Sequence, residues 1–195
     1  MQKKDSRSHP GSVTLRPADT GTRPVVERLA QLERHELSQF TGDLPGPDGQ
    51  FDFPRLSRFF TEAGHHADLI LSGEQLAGFC LTRPFDGGSN FIHAFFIVRA
   101  LRQQGVGRAA ATGLLRSRRG RWAIAFVEEN EPAARFWRQV ATDVVGDTWT
   151  SELRRAPNTG RAFRFLHVDV DRHESALTHQ DTPCVSDQCQ TADAR

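Results

Sequence analysis

The segment FIHAFFIVRALRQQGVGR, residues 91–108, carries the strongest structural signal in the chain. Its first eight residues are nearly all apolar, which is typical of a central β-strand that is covered on both faces. Gly105 and Gly107 follow, and an alanine- and leucine-rich stretch then predicts a helix from about 107 to 117. The segment therefore predicts a buried strand, a glycine-bearing turn and a helix in succession.

The turn before this helix has the properties of an anion site. Glycine lets the backbone approach a ligand closely, and the first N–H groups of a helix have no partner inside the helix. The helix dipole favours a phosphate at the same place, and Arg102 and Arg108 can add charge-assisted contacts. A glycine-bearing turn into an ordinary helix explains Gly105 and Gly107 equally well, so both interpretations stay open on these residues alone.

Apolar spacing and turn residues predict the elements around this segment. Thr22 is expected to cap the first long helix and Asp52 a short one that begins near Pro54, while Asn130 caps the last. The predicted strands are 12–17, 67–71, 75–82, 91–98, 122–127, 147–153 and 161–168, and the predicted helices are 22–40, 54–61, 107–117 and 130–140. This order predicts an α/β fold (α+β mixed) with a mixed, twisted sheet and helices on both faces.

Composition limits the class of protein. The 195 residues suit one domain, predicted at 12–170 between a flexible N-terminus (1–11) and a disordered polar tail (171–195). A formal net charge of +1 gives no overall field toward nucleic acid or a membrane. The chain has no apolar stretch long enough to span a bilayer, and its N-terminus lacks the apolar segment of a signal peptide. We therefore expect a cytoplasmic protein.

The cysteines are Cys80, Cys184 and Cys189. An odd number fits reduced thiols better than a disulfide framework. The last two lie in the polar tail near His173 and His179, at a spacing that matches no zinc pattern, so no metal is expected.

Two motifs resemble GNAT acetyltransferases. Residues 95–108 are similar to the acetyl-CoA-binding motif of that family, which reads Arg or Gln, two residues, Gly, one residue, then Gly or Ala; Arg102, Gly105 and Gly107 occupy these positions. A second signature, NEPAARFW at 130–137, follows a predicted strand. The stretches LRPA (15–18) and QLAGF (75–79) also resemble family strands, so the resemblance spans roughly residues 12–170.

The resemblance implies an N-acetyltransferase that uses acetyl-CoA and no metal, with a mostly antiparallel sheet whose two central strands splay apart. Backbone N–H groups from 103 to 108 would bind the pyrophosphate, and the strand residues 96–98 would pair with the pantetheine arm. It leaves open whether Asn130 contacts the pantetheine or only caps its helix. The implied cofactor-binding residues are Phe96, Ile97, Val98, Arg102, Gln103, Gln104, Gly105, Val106, Gly107, Arg108 and Asn130.

The catalytic residues are less evident. The chain contains no tyrosine to protonate the thiolate, and Ala94 stands where the family often has a glutamate. Phe136 and Trp137 stand at the position of the usual aromatic pair. An indole N–H has no useful acidity, so Trp137 cannot protonate the thiolate, and both side chains are expected in the core. His93 and Glu128 are the candidate proton acceptors. Both also have a structural explanation, since His93 can simply be packed within its strand and Glu128 can simply be solvated at the end of its strand. His93 and Ala94 are expected to point to opposite faces.

We expect direct transfer in a ternary complex, without a cysteine intermediate, to a small-molecule or peptide amine. The first two helices and the loops after residues 40 and 83 should form the acceptor site, with acids that could attract an amine: Glu36, Asp43, Asp48, Asp52 and Asp86. No nucleic acid or membrane partner is expected, and a homodimer is plausible.

Other functions stay open on the sequence. One is a non-catalytic acyl-CoA-binding module, and another is acetylation of an amine attached to tRNA. A third is a nicotinamide dinucleotide-binding oxidoreductase, since Gly105, Gly107 and Ala110 fit Gly-x-Gly-x-x-Ala and Glu128 ends the next strand. That fingerprint, however, places its first glycine almost at the strand end, whereas six residues separate Val98 from Gly105.

Overall fold

A computed structural model describes residues 12–53, 55–156 and 160–170. The strands are β1 (Val13–Pro17), β2 (His66–Ser72), β3 (Gln75–Phe85), β4 (Ser89–Ile97), β5 (Arg121–Val127), β6 (Thr150–Arg155) and β7 (Ala162–Asp169). The helices are α1 (Arg23–Thr41), α2 (Arg58–Thr61), α3 (Val106–Ser117) and α4 (Glu131–Val145). The predicted terminal segments, with Cys184 and Cys189, lie outside the described residues. No helix in the described part is long and apolar enough to cross a bilayer.

The described strands form one sheet in the order β1-β2-β3-β4-β5-β7-β6. Every neighbouring pair is antiparallel except β4 and β5, which run parallel. The connection from β4 to β5 passes through α3, as a parallel pair requires. The predicted α/β (α+β mixed) fold with a mostly antiparallel sheet and flanking helices is confirmed.

The two central strands separate soon after they meet. β4 and β5 pair only at Asn90, Phe91 and Ile92, opposite Trp122, Ala123 and Ile124. Beyond that point β5 continues to pair with β7 as far as Val127, and β4 with β3 as far as Ile97. A cleft therefore opens between β4 and β5 toward the ends of both strands.

Two apolar clusters cover the faces of the sheet. One packs α3 and α4 against it, with Trp122, Leu114, Val140 and Leu166 fully buried. The other packs α1 and α2 through residues that include Val26, Leu29, Phe59 and Phe79. Gly78 of β3 lets β3 and β4 approach closely, because a Cβ there would lie 1.8 Å from the carbonyl oxygen of Phe96.

Three details differ from the sequence predictions. Thr22 stands at the N-cap of α1, but its hydroxyl does not bond a helix N–H. The hydroxyl donates to Asp19 Oδ1 at 2.8 Å and accepts from Asp19 N at 2.8 Å. Asp52 does not cap α2, because residues 55–57 form a turn and the helix begins only at Arg58. α4 continues past the predicted end at 140 to Val145, where Gly146 stops it.

Candidate active site

A β-bulge interrupts β4 beside the cleft. Leu81 of β3 pairs with Ala94, and the next residue, Thr82, pairs with Ile92, so His93 is the extra residue. His93 stacks on Phe59 at a centroid distance of 5.1 Å, and Phe59 packs in the same cluster as Ala94. The expectation that His93 and Ala94 point to opposite faces is therefore wrong, because the bulge shifts the alternation by one residue.

The backbone between β4 and α3 forms a cradle of unpaired N–H groups. Gln103 has φ 60° and Gly105 has φ 82°, and a positive φ is unusual for a residue other than glycine. Among the described residues, no acceptor bonds the N–H of 103, 104 or 105, and Ala109 makes the first helix bond, to Gly105 O at 2.9 Å. Successive free N–H groups at a helix start can bind a phosphate.

The arginines of this segment make ion pairs within the protein. Arg102 donates to Ile97 O at 2.7 Å, and its second nitrogen lies 2.7 Å from Glu36 Oε2 on α1. Arg108 forms a two-bond ion pair with Asp143 on α4. Both guanidinium groups therefore fix the helices around the cradle, whereas the sequence suggested that they contact the ligand directly.

A cavity of about 1130 Å³ runs from the cleft to the cradle. Its lining includes β4 residues from Phe91 to Ile97, the β5 end, and Gln103, Gly105, Gly107 and Arg108. Of the sequence-predicted set, Val98, Gln104 and Val106 are not in the lining. The structure thus brings most of the predicted cofactor residues to one elongated site.

Asn130 and two aromatic residues form the wall of the cavity opposite β4. Asn130 caps α4, with its Oδ1 accepting from Ala133 N at 3.1 Å, and it also lines the cavity. Phe136 and Trp137 pack against each other and against Phe95 of β4. The predicted cap is confirmed, and so is the predicted core position of Trp137, whereas Phe136 is half-buried and lines the cavity.

His93 lies in an aromatic and cationic environment on the cavity surface. Its ring stacks between Phe53 at 5.8 Å and Phe59 at 5.1 Å. Burial, reinforced by the positive charges of Arg83 and Arg34, lowers the pKa of His93 to about 4. The imidazole is therefore neutral near pH 7 and is a weak proton acceptor.

Glu128 does not reach the cavity. Arg164 on β7 donates from Nε to Glu128 Oε2 at 2.9 Å and from a terminal nitrogen to Oε1 at 2.6 Å. This ion pair lowers the pKa of Glu128, and Glu128 is not among the lining residues. Its carboxylate is held at the surface, so the geometry does not support the predicted role as a base.

The sequence model of the acetyltransferase (GNAT) family matches residues 27–141. The chain belongs to this family. GNAT acetyltransferases use acetyl-CoA, and the protein is an acetyl-CoA-dependent acyltransferase. A dinucleotide-binding oxidoreductase is thereby excluded, in agreement with the long turn between β4 and Gly105.

Solved structures have the same GNAT fold at low sequence identity. An acetyltransferase from Thermus thermophilus is 14% identical, with TM-score 0.59, and the match covers 82% of this chain and 98% of that one. A ribosomal-protein alanine N-acetyltransferase from Escherichia coli is 11% identical, with TM-score 0.55 and coverage of 82% and 94%. A ribosomal alpha-N-protein acetyltransferase in complex with coenzyme A is 16% identical, with TM-score 0.58 and coverage of 84% and 99%. No curated protein sequence matches the chain.

One residue of this GNAT site was missed by the sequence reasoning. Glu33 of α1 lines the cavity with its side chain 10% exposed. A signal was present in the sequence, because Glu33 continues the apolar spacing of Val26, Leu29 and Ala30 at i, i+3, i+4 and i+7. A charged residue on the buried face of a helix marks either a paired charge or a functional group.

Cys80 is the cysteine that lies within the described residues of this GNAT domain, and it is fully buried in β3. Burial raises the pKa of the Cys80 thiol, and Asp68 reinforces the effect. The thiol therefore has no thiolate character at neutral pH, and Cys80 is not among the residues that line the cavity.

Proposed function

We propose that the protein is an N-acetyltransferase that moves the acetyl group from acetyl-CoA directly to an amine bound beside it in a ternary complex. The observation that carries this proposal is the separation of β4 from β5, which opens a cleft that runs into the N–H cradle at the start of α3. A cleft with unpaired strand backbone on one side and an anion site at one end suits a long thioester donor with a pyrophosphate.

The donor would lie along β4. The N–H groups from Gln103 to Arg108 would bind the pyrophosphate, and the β4 backbone from Phe96 to Val98 would pair with the pantetheine amides as an added strand does. Arg102 and Arg108 would act by fixing α1 and α4 around the cradle, since both are in ion pairs. Asn130 would hold the start of α4 on the opposite wall.

Transfer requires few chemical groups from the protein. Holding an amine nitrogen against the thioester carbon supplies a large part of the rate by proximity. Backbone N–H groups of β4 that face the cleft can stabilise the carbonyl oxygen as it gains negative charge. The nitrogen forms a bond to the acetyl carbon, the carbon–sulfur bond breaks, and the coenzyme A thiolate takes a proton that the nitrogen releases.

The buried thiol of Cys80 supports direct transfer over an acetyl-cysteine intermediate. His93 would contribute as a neutral hydrogen-bonding group on the acceptor side of β4, next to the small side chain of Ala94. The acceptor would enter between α1, the loop after it and β4, where Asp43 and His93 line the cavity. A small-molecule amine and a peptide amine both fit a cavity of this size.

A thermal-shift titration with acetyl-CoA, NAD and NADP tests the donor. A ligand at about a hundred times its dissociation constant adds roughly 2.7 kcal/mol of stability, which raises the melting temperature. We expect stabilisation by acetyl-CoA alone, followed by acetylation of at least one amine from a panel of amino acids, polyamines and short peptides. Intact-protein mass spectrometry after incubation with acetyl-CoA alone should show no acetylated protein. Stabilisation without transfer to any amine would instead indicate an acyl-CoA-binding module.

A further inference from the structure

Glu33 presents a buried, unsatisfied carboxylate oxygen at the cavity. Among the described residues, no hydrogen-bond donor contacts Oε2 of Glu33. The Nε of Arg34 lies 3.7 Å from this oxygen, which is beyond hydrogen-bond distance. Burying a carboxylate without a hydrogen bond is costly, so proteins rarely keep one in the core without a use for it.

The other acids around the cavity are occupied or solvated. Glu36 lies 2.9 Å from Arg99 and 2.7 Å from Arg102, so two cations already hold its carboxylate. Asp43 is exposed to solvent. Glu128 is paired with Arg164 outside the cavity. Glu33 is thus the carboxylate with both burial and a free oxygen at the acceptor side of the site.

The helix face of Glu33 packs toward the part of β4 that contains the bulge. Leu29 and Ala30, four and three residues before Glu33, belong to the same apolar cluster as Ala94 and Phe96. Glu33, His93 and Ala94 all line the same cavity. Glu33 therefore faces the same cavity as the bulge residues, on the side of the sheet that α1 covers.

The charges around Glu33 are mixed. Arg34 and Glu36 flank it on α1, and His93 on β4 and Arg83 on β3 line the same cavity. Burial raises the pKa of Glu33 to about 7, with Arg34 acting in the opposite direction and Glu36 adding to the rise. A proton acceptor with a pKa near the working pH is well matched to proton transfer.

We propose that Glu33 is the base that removes a proton from the ammonium group of the acceptor. This proposal rests on the N-acetyltransferase function proposed above. The Glu33 carboxylate takes one proton from R–NH₃⁺, and the lone pair that is freed attacks the thioester carbon. The carbon–sulfur bond breaks, the thiolate receives the second proton lost by the nitrogen, and Glu33 returns its proton to water.

The test compares Glu33→Gln with wild-type protein on the amine that the wild type acetylates fastest in the panel. We expect kcat/KM to fall about 100-fold or more, the usual range for a lost general base. In the wild type, kcat/KM should rise through a pKa near 7 whichever amine is used, and the variant should lack that step. Glu33→Asp should recover part of the activity. Acetyl-CoA affinity should be the same in all three proteins.

Glu27→Gln is the matched control, because Glu27 lies on the same helix but pairs with Arg23 at the surface. Its kinetics and pH profile should equal those of the wild type. If wild-type protein is active and Glu33→Gln keeps its rate and its pH profile, the Glu33 proposal is overturned while the proposed function stands. If the wild type acetylates no amine in the panel, the proposed function fails first.

A spectroscopic readout does not depend on turnover. Infrared difference spectra should show a protonated carboxyl group that loses its proton near pH 7 in the wild type. The signal should be absent from Glu33→Gln and present in Glu27→Gln. Absence of this titration from the wild type would also overturn the proposal.

Discussion

His93 and Ala94 are consecutive residues of β4, yet both side chains lie on the face of the sheet that packs against α1 and α2. The extra residue in the bulge causes this arrangement, since Leu81 pairs with Ala94 and Thr82 with Ile92. A neutral imidazole therefore lies next to a methyl group on the wall of the cavity, on the same side of the sheet as α1, the helix that carries Glu33.

The pKa of His93 predicts an acid-dependent loss of stability. Because its folded pKa is lowered from 6.5 to about 4, the unfolded chain binds the proton first as the pH falls. The free energy of unfolding that the neutral imidazole contributes is fully present above about pH 6.5 and decreases as the pH falls toward 4. His93→Phe keeps the ring contacts, so urea denaturation should show a smaller loss near pH 4 than in the wild type. Equal losses in both proteins would contradict the lowered pKa.

Glu33 should have the opposite effect at higher pH. Its folded pKa is raised from 4.5 to about 7, so the unfolded chain ionises first as the pH rises. Glu33 does not lower the free energy of unfolding below pH 4.5. As the pH rises through about 7, its ionisation lowers that free energy by an amount on the order of 3 kcal/mol. Glu33→Gln should therefore be more stable than the wild type at pH 8 and equally stable at pH 4, as measured by chemical denaturation. A variant that is less stable at pH 8 would mean that the carboxylate has a stabilising partner.

Replacement of Gly105 tests the phosphate cradle. Gly105 has φ 82°, and a Cβ there would meet nothing within 4 Å. Aspartate and asparagine tolerate this conformation to a similar degree and differ by one charge, so the pair separates electrostatics from backbone strain. We expect Gly105→Asp to weaken acetyl-CoA binding about tenfold more than Gly105→Asn, as measured by calorimetry. If the two variants bind acetyl-CoA equally well, the phosphates of the ligand do not lie at Gly105.

Glu128→Gln should leave acetyl transfer nearly unchanged. The carboxylate is bound by Arg164 and does not line the cavity, so its charge is not available to an amine. The measurement is kcat/KM for the best amine of the panel, with Glu33→Gln as the variant that should be impaired. A fall of about 100-fold with normal acetyl-CoA affinity would restore Glu128 as the base.

Removal of the thiols tests direct transfer. Cys80→Ala should keep its turnover, because the buried thiol does not line the cavity, and the lost packing should cost about 1 kcal/mol of stability. A variant with Cys184→Ala and Cys189→Ala as well should behave in the same way. A folded Cys80→Ala protein that binds acetyl-CoA but transfers nothing would indicate a covalent intermediate.

Periodicity and turn chemistry were sufficient to predict most of the fold. The continuous apolar run of β4 and the glycines after it are local signals, and the structure has a strand and a helix at those places. The bulge at His93 was not predictable, because it depends on how Leu81 and Thr82 pair across the sheet. One inserted residue changes which side chains share a face.

Ion pairs between distant segments account for most of what the sequence analysis missed at the site. Arg108 and Asp143 are 35 positions apart, and no local pattern connects them. Glu36, which the sequence offered as an acid that could attract an amine, is held by Arg102. Glu33 is different, because its place on the apolar face of α1 was readable from the spacing alone.

The separation of β4 from β5 also puts two strand edges inside the molecule. An exposed edge at the rim of a sheet can pair with another chain and cause aggregation. Here the two edges face each other across a cavity whose walls include residues of α1 and α4. At the outer rim, β6 carries Glu152, Arg154 and Arg155, and such charges discourage pairing. The fold thus keeps unpaired backbone groups available to an extended ligand inside the cleft, while the charged outer strand β6 discourages pairing with other proteins.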